Sequence, residues 1–201
     1  SARDQLIQYF REVLEEKFPN GNYADHVRIV SERHFKQKKA LLEGQTIAFG
    51  GRVDEAQRTI EPTVLIDVDP ESQVMQEEIF APILPVLTWT KLDEAIDFVR
   101  SRPEPLALYL FTSSRDVEKK VLDTCSFGGG CINDTVVQLA NSDLGFGGVG
   151  QSGMGSYHGK RSFDTFTHYR SIVRKSTRLD LPFRYFPYTK KNFRLIRRFL
   201  Q

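Results

Sequence analysis

Apolar positions Leu6, Ile7, Phe10, Val13 and Leu14 recur at helical spacing, with charged residues on the other face, and predict an amphipathic helix. Phe18-Pro19-Asn20-Gly21 stops it. A second helix is predicted after Ser31, an N-cap with Glu32 in the first turn, running through His34, Phe35 and Leu41-Leu42 to a C-cap at Gly44. Thr46–Phe49 reads as a short strand closed by Gly50-Gly51, and Ile60 to Ile66 as another with Pro62 near its start. Asp67 to Ser72 is a polar turn. Ile83 to Trp89 is an apolar strand interrupted by Pro85, which suits an edge position or a start after the proline. The pattern then alternates regularly: helix Leu92 to Val99, strand Leu106 to Phe111, helix Asp116 to Leu122 with Ser113 or Ser114 as cap, and strand Gly128 to Ile132. Lys160 to Phe166 is predicted helical and Arg170 to Arg174 is predicted as a final strand. Strands alternating with helices of this length imply an α/β fold with a largely parallel sheet flanked by helices.

Between the last predicted elements lies Gly145-Phe-Gly-Gly-Val-Gly-Gln-Ser-Gly-Met-Gly-Ser-Tyr-His-Gly159, which holds seven of the 14 glycines. Such a run costs too much as a helix and predicts a long, shaped loop. Within it Gly148, Gly150 and Gly153 match G-x-G-x-x-G. A dinucleotide phosphate loop of that kind must follow a buried strand, open a helix and precede an acid by about 20 residues. Asn141-Ser-Asp-Leu before the loop is polar, and Asp164 comes too early. Arg161 after Gly159-Lys160 excludes a Walker loop. The run therefore reads as a structural or pocket-lining loop.

A length of 201 residues suits one large domain or a piece of something larger. The net charge of +2 offers no general case for nucleic-acid binding. Cys125 and Cys131 make no disulfide framework, so a reduced, cytoplasmic setting is expected. No apolar run approaches the 18 or so residues of a membrane span, and no signal peptide is recognisable. The absence of an initiator Met suggests processing or a start within a longer protein. The tail from Leu179 changes character: an aromatic extended stretch leads to Thr189, a cap for a last helix with Phe193, Ile196 and Leu200 on one side and Lys190, Lys191, Arg194, Arg197 and Arg198 around the rest. A basic amphipathic helix of this kind suits an anionic membrane surface. The plainer reading is packing on its own protein or on a partner subunit, because the helix is short and lacks a second anchor.

Candidate chemistry is sparse. Neither cysteine has an adjacent His with an orienting group, and Cys131 lies in an apolar strand where cysteine behaves as a small hydrophobe. His26, His34, His158 and His168 show no metal-ligand spacing, so no metal site is expected. His34 reads as a solvated residue of a Lys-rich helix face. Glu77 and Glu78 are neighbours in an extended segment and point to opposite faces. One carboxylate can therefore enter a site while the other stays in water, and alternation does not choose between them.

Four motifs, in order, add more. Gln76-Glu-Glu-Ile-Phe-Ala-Pro-Ile-Leu-Pro85, Pro105-Leu-Ala-Leu-Tyr109, Gly129-Gly-Cys-Ile-Asn-Asp134 and the glycine loop through Lys160 together resemble the aldehyde dehydrogenase superfamily. Ser-Gly-Met-Gly-Ser-Tyr-His-Gly, with the segment Ser162 to His168, is similar to the class 3 branch. The resemblance runs from about Ser1 to Val173, and the tail is similar to that of some bacterial class 3 members. It implies that residues 1–174 are a C-terminal portion of the catalytic domain and residues 175–201 a tail.

The resemblance also implies a chemistry. A cysteine thiolate attacks the aldehyde, hydride passes to NAD or NADP, and a general base activates water to release the acid. The family's Gly-Gln-x-Cys nucleophile, Glu base and Asn oxyanion donor match nothing in these 201 residues, so no catalytic residue is assigned and the chain alone is expected to be inactive. By motif position, Glu78 would hydrogen-bond the nicotinamide ribose and Phe80 would pack near the nicotinamide. Phe146 would line the aldehyde pocket, with Thr135 and Val136 bordering it. Family members commonly form homodimers. A surface left bare where the cofactor domain should sit predicts self-association. Two positions depart from the family pattern: Ala81 stands where Gly is usual, restricting the backbone beside the cofactor, and Gly145 stands where Pro is usual, freeing φ beside Phe146. The alternative is a stand-alone, non-catalytic binding or assembly module derived from the enzyme.

Overall fold

Helix α1, Ala2–Lys17, ends where the sequence predicts: Asn20 and Gly21 turn the chain through positive φ. The computed structural model describes residues 2–21, 23 and 27–199; His26 and Leu200 lie outside these. Helix α2, Glu32–Ala40, is capped by the Ser31 hydroxyl, which accepts from the His34 amide. It stops at Ala40, four residues before Gly44, and the intervening turn absorbs Leu41, which is buried.

The chain divides into two compact units, residues 1–98 and 99–201. In the first, a three-stranded sheet has β4 (Thr63–Ile66) at its centre, antiparallel to β1 (Thr46–Phe49) and parallel to β5 (Ile83–Val86). Proline-containing β5 lies at the edge of this sheet, as expected. The segment Ile60 to Ile66 is not one strand. It splits into β3 (Thr59–Ile60), paired with β2 (Val53–Asp54), and β4. Pro62 has no N–H to continue a ladder, and Thr63 turns the corner: its hydroxyl donates to Glu61 O at 2.6 Å and accepts from Gly51 N at 3.0 Å. Gly50, at φ +79°, permits the approach, since a Cβ there would lie 2.1 Å from Pro62 O. Alternation along β4 would place Val64 and Leu65 on opposite faces, yet both are buried. Ile29, Phe35, Leu41, Ile60, Leu65, Val68, Val74 and Ile83 form one core cluster.

Beside this core Arg52 forks onto Glu61, Nε and Nη2 each 3.1 Å from a carboxylate oxygen. Burial pushes the Glu61 carboxyl up, but hydrogen bonds and charge from Arg52 outweigh it and hold the group below its ordinary value. The Tyr23 hydroxyl is raised by burial and by the Glu61 charge.

The unit boundary falls within α3, Leu92–Arg100. The second unit begins with a βαβ unit: β6 (Ala107–Leu110), α4 (Arg115–Thr124) and β7 (Gly129–Ile132), with β6 and β7 parallel. Ser114 caps α4 by accepting from Val117 N. Among the described residues the pairings are therefore two parallel and two antiparallel, spread over three sheets rather than one largely parallel sheet. The α/β class stands. The glycine loop follows, then α5 (Gly159–Thr165), an irregular stretch, and α6 (Lys190–Phe199), whose cap Thr189 accepts from Asn192 N at 3.2 Å. Arg170 to Arg174 forms no strand. Its Ile172 and Val173 are exposed, and no ladder partner within the described residues meets them.

Candidate functional site

The Gln76–Pro82 segment is anchored by a buried cation. Lys38 on α2 is only 7 % exposed; its ammonium donates to Glu77 Oε1 at 3.2 Å and to the Glu78 carbonyl at 3.4 Å. A buried ammonium needs such partners. The two neighbouring acids are thereby given different tasks: Glu77 holds the segment down, and the Glu78 carboxylate is left exposed. Two residues on, Phe80 adopts φ +45° and leaves its ring 80 % exposed. A left-handed φ is unfavourable for a bulky residue and marks a position held by its surroundings. The unusual backbone is thus at Phe80 itself, while Ala81, the departure noted from the sequence, does not need positive φ.

Phe80, Ala81 and Pro82 line an apolar cavity of about 600 Å³ with Val27 to Val30, His34 and Lys38. His34 was expected to be merely solvated. It is exposed, but it faces this cavity, and its Nδ1 lies 3.0 Å from the Ser31 hydroxyl. Its spacing of four from Lys38, which puts both on one helix face, was the signal available in the sequence. Phe80 thus offers an exposed flat ring at an apolar cavity, and the exposed Glu78 carboxylate, two residues away, is not part of its lining. A polar cavity of about 650 Å³ is lined by Tyr23, Arg28, Arg52 and Glu61. It contains none of the sequence-predicted residues, and its main charges satisfy each other.

The other predicted residues lie in the second unit. After β7, Asn133 (φ +58°) clasps Thr112: its Oδ1 accepts from Thr112 N at 2.8 Å and its Nδ2 donates to Thr112 O at 2.9 Å. This launches a tight turn in which Thr135 N donates to Asp134 Oδ1 and Val136 sits at φ +68°. Thr135 and Val136 are exposed. Cys131 is half-buried; its thiol donates to Gln138 Oε1 at 2.9 Å, and Gln138 Nε2 donates to Tyr109 Oη at 3.0 Å, so the cysteine ties the turn to the sheet.

Phe146 stands on the glycine loop. It exchanges both backbone hydrogen bonds with Tyr157, each 2.9 Å, and its ring meets Tyr157 edge-on at 5.7 Å and His158 at 6.3 Å. The glycines allow this closure. A Cβ on Gly147 would lie 2.1 Å from Gly155 O. Gly150 opens only a single 3-10 turn, Gly150–Ser152, not the helix a phosphate loop requires. Gly145 has no positive φ; the Arg161 side chain packs where its Cβ would be. His158 Nδ1 is buried with no hydrogen-bond partner among the described residues. Glu78 and Phe80 thus share one exposed segment, Phe146 meets His158, and Thr135 and Val136 stand on a separate turn.

The family model for the aldehyde dehydrogenase family matches residues 24–172. The chain belongs to the aldehyde dehydrogenase family. Among its relatives, the 4,4'-diaponeurosporen-aldehyde dehydrogenase of Staphylococcus aureus is 48 % identical over all of this chain and 44 % of that protein. Aldehyde dehydrogenase family 3 member A2 of Rattus norvegicus is 50 % identical over 87 % of this chain and 37 % of that protein. The solved substrate-bound state of Staphylococcus aureus AldH is 48 % identical and matches with a TM-score of 0.88, over 98 % of this chain and 44 % of its own. The chain therefore spans well under half the length of these class 3-like family members.

Proposed function

We propose that these 201 residues supply the cofactor-facing and aldehyde-facing walls of an NAD(P)-dependent aldehyde dehydrogenase that oxidises aldehydes to carboxylic acids through a cysteine thioester. The observation that carries this reading is the anchored Glu77-Glu78-Ile79-Phe80 segment, with Lys38 fixing its backbone and the Glu78 carboxylate and Phe80 ring presented outward. In this reading Glu78 accepts hydrogen bonds from the nicotinamide ribose, and Phe80 lays its ring beside the nicotinamide. When bound, NAD or NADP supplies a hydride acceptor. Phe146 contributes apolar wall to the aldehyde pocket, held in place by its pairing with Tyr157. Thr135 and Val136 border the same pocket. Residues 1–174 act as the catalytic-domain portion and 175–201 as a tail. The thiolate, the general base and the oxyanion donor come from sequence outside these residues, and the longer protein is a homodimer. Two free cysteines suit a cytoplasmic setting. Among the described residues no helix is long and apolar enough to cross a membrane.

The purified 201-residue chain is expected to produce no aldehyde-dependent NADH or NADPH, because acyl transfer requires the thiolate and neither Cys125 nor Cys131 stands in a Gly-Gln-x-Cys stretch. Aldehyde-dependent reduction of either cofactor by this chain would overturn the assignment of the nucleophile to sequence outside it.

A further inference from the structure

The turn after β7 holds a backbone conformation that its sequence does not favour. Val136 stands at φ +68°. A β-branched residue in the left-handed region is an outlier, and it persists only where its surroundings over-determine it. Glycine would take this position at far less cost. Backbone bonds contribute to holding the valine there: Val137 N donates to Thr135 O at 2.7 Å, Leu139 N to Val136 O at 2.9 Å and Ala140 N to Val137 O at 3.1 Å. These bonds close the 3-10 turn Val137–Leu139 on itself and tie it to nothing else.

Two side-chain pins fix the turn to the sheet. At its entry Asn133 clasps Thr112, just beyond the end of β6. At its exit Gln138 plays the corresponding part. Tyr109 on β6 and Cys131 on β7 are register partners in the parallel pair, and the Gln138 carboxamide straddles them. Its Oε1 accepts from Cys131 Sγ at 2.9 Å and its Nε2 donates to Tyr109 Oη at 3.0 Å. A carboxamide accepts on one side and donates on the other, so the two bonds fix the orientation of the group as well as its place. Thr135 and Val136 lie between the two pins.

We propose that Gln138 is a positioning residue for aldehyde binding: bonded across β6 and β7, it holds the Thr135–Val136 apex in its left-handed form and so sets one border of the aldehyde pocket. This inference rests on the proposed function, which puts Thr135 and Val136 at that pocket. Gln138 acts through Val136 and not by contact with the reacting atoms. Small displacements matter at such a border, since a misplacement of about 1 Å can cost about 100-fold in rate.

Two variants test the proposal. Gln138→Met keeps the side chain's length and removes both bonds; Tyr109→Phe keeps the ring and removes one. In the 201-residue chain, hydrogen exchange at the amides of Leu139 and Ala140 should speed up about tenfold in Gln138→Met and about threefold in Tyr109→Phe, with the first unit unchanged. Turnover is read in a chimera that places the upstream part of the Staphylococcus aureus relative, 48 % identical over this chain, before these residues. There Gln138→Met should raise the aldehyde KM about tenfold and Tyr109→Phe about threefold, with kcat and the cofactor KM within about twofold of the unaltered chimera. A merely structural role would lower kcat or the active fraction and leave both KM values in place. Tyr109→Phe carries the same prediction should Gln138→Met not fold. Unchanged exchange at Leu139 and Ala140 would overturn the tie itself. Faster exchange with an unchanged aldehyde KM, or with a cofactor KM raised equally, would overturn the positioning role and leave the reading of Glu78 intact. An unaltered chimera without turnover would remove the aldehyde-pocket reading and this inference with it.

Discussion

The two units of this chain are stabilised in different ways. Of the twelve buried apolar residues among those described, ten lie in residues 1–98 and only Val121 and Cys125 in residues 99–201, so the first unit carries a core of its own. The second holds its loops by backbone pairing, side-chain clasps such as Asn133 on Thr112, and glycine-permitted close approach. It leaves Phe163, Phe166, Ile172 and Val173 exposed. The comparison teaches that the segment carrying Glu78 and Phe80 stands on a packed base, whereas the loops carrying Thr135, Val136 and Phe146 depend on local geometry.

The sharpest way to break that comparison is a pair of core truncations. Leu65 is fully buried, so Leu65→Ala should cost about 4 kcal/mol, against about 1.5 kcal/mol for Val121→Ala, read from urea unfolding. Equal costs would mean the second unit has a core of comparable weight. Next, Gly147→Ala forces a Cβ against the Gly155 carbonyl and should cost about 2 kcal/mol. Hydrogen exchange should show it locally, as lost protection at the amides of Phe146 and Tyr157 with the first unit unchanged.

A smaller effect concerns Glu61. Its folded pKa lies below the unfolded value of about 4.3, so its contribution is complete above that pH and is lost as pH falls through the depressed value. Arg52→Ala should therefore lower stability at neutral pH and flatten the acid limb of the stability profile of the first unit. An unchanged limb would remove Arg52 as the cause. The smallest change expected is Phe80→Ala. The ring is so exposed that stability should move by no more than about 0.5 kcal/mol; a larger loss would make Phe80 a structural residue rather than a presented one.

Local signals in the sequence identified most elements, because they act over a few residues: the Ser31, Ser114 and Thr189 caps, the Asn20-Gly21 stop and the edge position of Pro85 all appear in the structure. What the sequence hid was set by partners distant along the chain. The break at Pro62 is completed by the Thr63 hydroxyl reaching Gly51 N, 12 residues earlier, and Arg170–Arg174 has a strand's composition without a strand's neighbour. In the candidate site, alternation left Glu77 and Glu78 equivalent. The burial of Lys38, 39 residues before Glu77, distinguishes them, and no local pattern around either acid reports it. His34 is exposed, as its Lys-rich helix face predicts, and it also faces the cavity lined by Phe80 and Pro82.

The central claim, that this chain presents cofactor-facing and aldehyde-facing walls, is tested most directly by a chimera. The upstream part of the Staphylococcus aureus relative, which is 48 % identical over this whole chain, would be joined to these 201 residues, and aldehyde-dependent NAD(P)H production measured with and without Glu78→Gln. The account predicts turnover, with the cofactor KM raised about tenfold by the loss of charged hydrogen bonds. A folded chimera that turns over with an unchanged cofactor KM in Glu78→Gln, or that does not turn over at all, would contradict it.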